Sequence, residues 1–269
     1  MIRNITVIVP TKNEEKNLSS CLSSIKEFEH VIVVDSNSSD KTPQITIEFS
    51  RTLVQFNWNG QFPKKRNWAL FNLDIRTDWI LFLDADEVLT PNIIEEMRKI
   101  NDEYVGYWLN YDNFFLRRPL KFGVPQRKLA LFNKNFGCYE STAVEPGSKL
   151  DMEIHEHPIL KGKIGSLRGR IIHNDYQGYY KFRHRHLEYA RWEAERLRSI
   201  RNHEVELKLL TPRQKVKYRL MGSCFFAPSY FFYAYIFRLG FLDGLHGFLY
   251  ALEKMNYFKT IYMLTREEE

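Results

Sequence analysis

Asp78-Trp79-Ile80-Leu81-Phe82-Leu83-Asp84-Ala85-Asp86-Glu87 decides the fold class of this chain. The run Trp79 to Leu83 is apolar without alternation, which reads as a short strand buried on both faces. It stops at a cluster of acids, and Pro91 then opens a helix at a position where its missing N–H costs nothing. Upstream, the same alternation repeats. Ile5 to Val9 is a strand ended by Pro10, and Leu18, Leu22 and Ile25 have helical spacing. Val31 to Val34 is a strand closed by the polar loop Asp35-Ser36-Asn37-Ser38-Ser39-Asp40, which doubles as a helix cap. Thr42 to Phe49 reads as helix, Leu53 to Phe56 as strand and Pro63 to Asn72 as helix.

Apolar strands alternating with amphipathic helices mean βαβ units and an α/β fold with a sheet covered on both sides. Such sheets bind ligands beyond the carboxyl ends of their strands. Thr11, Asn13, Asp35, Asp84 and Asp86 all follow strands and are expected to converge there. Further on, Tyr104 to Tyr111 and Leu129 to Phe132 read as strands. Arg117-Arg118-Pro119 and Gly123-Val124-Pro125 read as loops, and Ile171-Ile172-His173 closes the region. Residues 179 to 203 form a basic, charged helix, after which the chain becomes strongly aromatic.

The chain has 269 residues, enough for one large α/β domain or a domain with an appendage. Its formal charge of +6 suits anionic partners such as nucleotides or an acidic membrane face without requiring nucleic acid. Three scattered cysteines, Cys21, Cys138 and Cys224, argue against a disulfide framework and for a reducing compartment. No secretory signal precedes the first strand, so a cytoplasmic location is expected.

Asp84 and Asp86, two residues apart at a strand end, can share a hard divalent cation that also takes phosphate oxygens. The competing reading is a helix cap with solvated loop acids. Asp35 can accept from a nucleobase N–H, with Asp40 as the helix cap. Lys64-Lys65-Arg66 at a helix start opposes the macrodipole and makes sense if an anion sits there. His155-Glu156-His157 is too sparse for a zinc site, and it leaves Glu156 as a candidate general base between polar neighbours. His173, at a strand end, is a candidate metal or phosphate ligand.

Taken together, Val7-Ile8-Val9-Pro10-Thr11-Lys12-Asn13-Glu14-Glu15, Val33 to Thr42, Lys65 to Leu70 and Asp78 to Glu87 resemble the inverting family 2 glycosyltransferases of the GT-A fold. Arg127-Lys128-Leu129, His155-Glu156, Ile172-His173 and Arg238 to Gly244 resemble a bacterial subgroup that builds the lipopolysaccharide inner core, including glucosyltransferases. The resemblance implies a GT-A (Rossmann-like) mixed sheet flanked by helices with a helical, aromatic-rich C-terminal extension. Residues 1–176 would be the nucleotide-sugar-binding and catalytic domain, and 177–269 the extension. It implies that Thr11, Asn13, Glu14 and Asp35 hold base and ribose, and that Arg66 lies near the nucleotide. Asp84 would contact ribose or metal, Asp86 would ligate Mg²⁺ or Mn²⁺, and Glu156 would be the base. The expected donor is a UDP-sugar, and the expected acceptor is a glycolipid or oligosaccharide.

A metal-dependent nucleotidyltransferase would need a Gly-rich phosphate loop near the N-terminus, and Pro10 to Glu15 contains no glycine. A nucleic-acid-binding protein would have to tolerate acids at the ligand edge, which repel phosphate. Cys224 to Phe237 is 14 uncharged residues, short of the roughly 20 that span a bilayer. With Arg213, Lys215, Lys217 and Arg219 before it and Arg238 after, it suits a segment lying on the anionic inner face of the cytoplasmic membrane. The alternative is a buried core helix.

Overall fold

The computed structural model of the chain describes residues 1–140, 151, 158–173, 179–202 and 212–267. The chain divides into two units. One comprises residues 1–112 and 126–174; the other comprises 113–125 and 175–269. The segment 113–125, expected within the N-terminal domain, groups with the C-terminal residues.

In the first unit, β1 (Ile2–Thr11), β2 (Phe28–Asp35), β3 (Thr52–Gln55) and β4 (Trp79–Phe82) run parallel in the order β3-β2-β1-β4. Helices α1 (Leu18–Ser24), α2 (Thr42–Glu48) and α3 (Lys65–Asn72) lie between them in sequence, and α4 (Pro91–Met97) follows. β5 (Glu87–Leu89), β6 (Gly106–Phe115), β8 (Arg127–Asn133) and β11 (Ile164–His173) continue the sheet as β4-β8-β6-β11-β5. The β4-β8, β8-β6 and β11-β5 pairs are antiparallel, so the sheet is mixed.

The strand period of two explains the layering. Val7, Val9, Leu81 and Leu83 face one way, onto Leu18 and Leu22 of α1 and Ile93 and Met97 of α4. Ile8, Ile80 and Phe82 face the other way, onto Ala69 of α3 with Phe132 and Tyr139. Both faces are covered, as the unbroken apolar runs required. A small separate ladder pairs β9 (Gly137–Tyr139) with β10 (Pro158–Leu160).

In the second unit, α5 (Tyr179–Asn202), α6 (Pro212–Met221) and α8 (Gly244–Arg266) share a core of Ala190, Ala194, Leu197, Tyr218, Met221 and Ile261. α7 (Phe226–Phe232) runs on through a π-helical turn, Tyr233–Phe237, to a short 3₁₀ turn, Gly240–Asp243. Arg117-Arg118-Pro119 is not a plain loop. Leu116 and Arg117, with φ of 51° and 64°, make a two-residue hairpin that pairs Asn113–Phe115 with β7 (Arg118–Leu120). Two left-handed residues match the twist of a hairpin, and the usual Asn-Gly signal for such a turn is missing.

Candidate active site

The loops after β1 and β2 are sewn together. Thr11 and Asp35 sit opposite each other in the parallel register. The Thr11 hydroxyl donates to Asp35 Oδ1 at 2.9 Å, and Asp35 also accepts from the Ser38 N–H at 2.8 Å. Asp35 is fully buried. Asn13 takes a left-handed φ of 57°, which its short polar side chain tolerates. From there its backbone N–H donates to Ser38 Oγ at 2.7 Å, and its Oδ1 accepts the Ser39 N–H at 2.9 Å. The Glu14 N–H donates to Thr42 Oγ1, and the Glu14 carboxylate accepts from Asn17. The N-cap position of α2 falls on Lys41 and not on the expected Asp40. Asp40, one residue earlier, accepts from the Thr42 N–H at 3.0 Å, and Asp35 anchors the loop.

The basic start of α3 is turned inward. Lys65, buried, donates to the Thr11 carbonyl at 2.9 Å and lies 3.3 Å from Asp151, which also accepts from Ser36. Burial pulls the Lys65 ammonium pKa down, against the opposing pull of Asp151. Arg66 donates to Asp84 Oδ1 at 2.7 Å. Lys65 and Arg66, expected to await an anion, are thus already held by groups of the chain.

At the end of β4, Asp84 takes Arg66 on one oxygen and Lys128, at 2.6 Å, on the other. Burial alone would raise its pKa, but Lys128 and Arg66 outweigh it and hold the carboxyl well below the usual range. Lys128 also donates to Glu87, whose other oxygen accepts the Asp84 N–H at 3.0 Å and the Tyr111 hydroxyl at 3.3 Å. Glu87 is fully buried, and burial pushes its pKa up to about 7, with Lys128 opposing and Asp84 and Asp86 adding to the rise.

The β11-β5 register sets His173 opposite Glu87. His173 Nε2 lies 3.3 Å from Asp86 Oδ2. Burial would lower the imidazole pKa, but the Asp86 carboxylate outweighs it and raises the value. Asp86, Glu87 and His173 each offer one ligand atom, all within 4.8 Å of one another. Two oxygens and an imidazole nitrogen fit Mg²⁺ or Mn²⁺ with phosphate or water completing the sphere. The cluster adds one residue to the expected Asp86 and His173: Glu87, itself held by Lys128. Asp84 is paired with Arg66 and Lys128.

Thr11, Asn13, Glu14 and Asp35 therefore form one cluster at the β1/β2 edge. Arg66, Asp84, Asp86 and His173 gather at the β4/β5 edge. Glu156, with His155 and His157, lies outside the described residues. Sequence reasoning passed over Glu87, Lys128 and Tyr111. Glu87 had a signal, being the third acid after the strand. Lys128 lay in a motif that carried the resemblance but without a role, and Tyr111 had no signal, since only the β6-β8 pairing brings them there.

The model of the family described as Glycosyl transferase family 2 matches residues 6–148, more than half of the chain. An uncharacterized glycosyltransferase of Rickettsia bellii is 29% identical over 150 residues, covering 53% of this chain and 50% of that protein. LpsC of Rhizobium meliloti, a lipopolysaccharide core biosynthesis glycosyltransferase, is 25% identical over 178 residues, covering 60% and 59%. The chain thus spans about half the length of the curated relatives it matches. Among solved structures, Staphylococcus aureus TarS residues 1–349 align over 99% of this chain and 92% of that one, at 17% identity and a TM-score of 0.44. Glucosyl-3-phosphoglycerate synthase of Mycobacterium tuberculosis, with Mn²⁺, UDP and glucosyl-3-phosphoglycerate, aligns over 39% of this chain and 43% of that one, at 22% identity and a TM-score of 0.32.

Proposed function

The chain belongs to glycosyl transferase family 2, and from that premise we propose that it is an inverting, metal-dependent hexosyltransferase. It moves a hexose, glucose in the first instance, from a UDP-sugar to a hydroxyl of a glycolipid or polysaccharide in lipopolysaccharide core biosynthesis. It works in the cytoplasm, at the inner face of the cytoplasmic membrane. One observation carries the metal dependence: Asp86, Glu87 and His173 present three ligand atoms within 4.8 Å beyond the parallel strands. The relative LpsC, by its description, supports the acceptor class. The UDP donor and the inversion follow from the family resemblance of the N-terminal motifs.

The roles divide along the sheet edge. Thr11, Asn13, Glu14 and Asp35 form the seat of base and ribose, with Asp35 held in one pose by Thr11 and Ser38. Arg66 and Lys128 keep Asp84 ionised and fixed, so it can accept from a ribose hydroxyl without reorganising. Asp86, Glu87 and His173 would hold the divalent cation, which when bound neutralises charge on the diphosphate leaving group. Glu156 takes the proton of the acceptor hydroxyl as its oxygen attacks the anomeric carbon. Attack comes from the face opposite the diphosphate, so the new C–O bond forms as the old one breaks, and configuration inverts.

Two measurements test this reading. In a thermal-shift screen of UDP-, GDP-, ADP- and CDP-sugars, a UDP-sugar with Mn²⁺ should raise the melting temperature selectively. An α-linked nucleotide-glucose should give a β-linked product by NMR coupling constant; an α linkage overturns the mechanism.

A further inference from the structure

The exposed side chains of α7 and its π-helical continuation fall on a single helical stripe. Phe225, Pro228, Ser229, Phe232, Tyr233 and Ile236 are all exposed, at spacings of three and four. The opposite stripe is the packed one. Phe226 and Tyr230 stack on Phe258 at 4.9 and 4.6 Å, and Ala227 and Ala234 are buried. The outward face of this helix is therefore nearly as apolar as its inward face, the reverse of a helix made for water. The next turn repeats the pattern. Phe241, Leu242, Leu245 and Phe248 are exposed, and Phe237 at the apex is 76% exposed.

Charge is nearly absent here. From Leu220 to Leu252, Arg238 and Asp243 are the sole residues among Asp, Glu, Lys and Arg. The acid is already occupied: Asp243 accepts the N–H groups of Lys121 and Phe122 at 3.1 and 3.0 Å. The Gly123 N–H donates to the Arg238 carbonyl at 2.9 Å. These three bonds pin the loop after β7 onto the same turn, so an exposed Phe122 and the cations Lys121 and Arg238 meet there. Among the described residues, neither cation has an ion-pair partner. The turn is also firm. A Cβ on Gly247 would lie 1.9 Å from the Gly240 carbonyl oxygen, and one on Gly240 would lie 2.7 Å from that of Ala234.

We propose that the turn comprising residues 225–248, with Lys121 and Phe122, is a docking surface for an anionic phospholipid bilayer. The aromatic and aliphatic stripe enters the headgroup layer while Lys121 and Arg238 meet lipid phosphates. Among the described residues, no single helix is long and apolar enough to cross a membrane. Lys215–Met221 and Phe226–Phe237 would qualify together by length and composition, but they are bent by 109° to each other. The surface lies on the bilayer and does not span it. Phe231, in the middle of the aromatic run, is not part of it, since it stacks against Tyr235 and Phe248 at 5.4 and 5.9 Å. This inference deepens the glycolipid-acceptor reading and rests on it for its biological purpose.

Flotation of the full chain with vesicles decides the matter. The wild-type protein should float with phosphatidylglycerol-containing vesicles, less so in high salt, and poorly with phosphatidylcholine alone. Phe237→Ser/Leu245→Ser should lower the bound fraction roughly tenfold or more at any salt. Lys121→Gln/Arg238→Gln should remove the preference for anionic lipid. Equal recovery with anionic vesicles, neutral vesicles and none overturns the proposal. So does flotation unchanged by the Phe237/Leu245 pair, or a concentration-dependent dimer that the same pair abolishes while lipid has no effect. Flotation together with failed transfer to any lipopolysaccharide acceptor would keep the surface and sink the acceptor reading instead.

Discussion

At the carboxyl edge of the first unit, Glu87 is fully buried among Lys128, Asp84 and Tyr111, whereas in the turn of the second unit Phe237 stands 76% exposed. Water would place both the other way round. Burying a carboxylate costs several kcal/mol unless it is paired, and exposing a large aromatic forgoes about 2 kcal/mol of burial. Lys128 offsets the cost of burial at Glu87, and in the proposed functions a cation with its phosphates would complete the sheet edge. An anionic bilayer would cover the turn.

The comparison breaks most visibly at Asp86. Asp86→Ala should lower transfer by about 10³-fold or more while leaving the melting temperature near the parent value. Full activity in excess chelator would show that the cluster holds no metal. Glu156→Gln should cost about 10²-fold in turnover with donor binding unchanged. A rate within twofold of the parent would move the base to Glu153 or Asp151.

Lys128→Met tests the buried side as a matter of stability. It strands Glu87 and Asp84 without their shared cation and should cost about 2 kcal/mol. That is less than for a fully enclosed pair, because Lys128 is 40% exposed. Added Mn²⁺ should restore much of the lost melting temperature, since a divalent ion replaces the missing charge. An equal loss with and without Mn²⁺ would mean that Lys128 serves packing alone.

Acid should find a different weak point, in the second unit. His186 donates from Nδ1 to the Phe182 carbonyl at 2.9 Å, while its Nε2 faces Lys254 at 3.3 Å among the rings of Phe182, Tyr189 and Tyr257. Burial first, then Lys254 and Arg185, push its pKa down to about 3. Below about pH 6.5 the unfolded chain binds a proton that the folded chain refuses. The stability is therefore present above that pH and is lost as pH falls towards 3. The loss at pH 5 should be about 1 kcal/mol after allowing for partial exposure, and His186→Gln should flatten it in urea titrations. The smallest effect belongs to the exposed side. Phe237→Ser should shift stability by no more than about 0.5 kcal/mol. A larger drop would show that the aromatic is structural.

The parallel half of the sheet was legible because its strands are unbroken apolar runs closed by polar loops, a pattern that few other folds produce. That Thr11, Asn13, Asp35, Asp84 and Asp86 lie at the carboxyl edge of the strands followed from position, whereas their roles, and the choice of Glu14 and Arg66, came from the family resemblance. The hairpin at Leu116 and Arg117 was not legible, since its left-handed residues are neither Gly nor Asn. Lys128 carried part of the family resemblance but no sign of its partners. It lies 44 residues beyond Asp84, and only strand pairing joins them. Local patterns reveal elements and the loops that end them, while charge pairing across a sheet depends on register. The aromatic run Cys224 to Phe237 was legible as apolar but not as two-sided. Both stripes are rich in aromatics, and only packing separates Phe226 and Tyr230 from Phe232 and Phe237.

The contact of Gly247 with the Gly240 carbonyl sets up an uneven tolerance to mutation along one short stretch. In a saturation library scored for folded protein, Gly247 should accept nothing, because even alanine would place a methyl 1.9 Å from that oxygen. Two positions earlier, Leu245 should accept nearly any residue. The same library scored for attachment to vesicles should reverse the contrast at Leu245, so a turn that reads as uniformly greasy would separate into a fixed frame and an interchangeable coat.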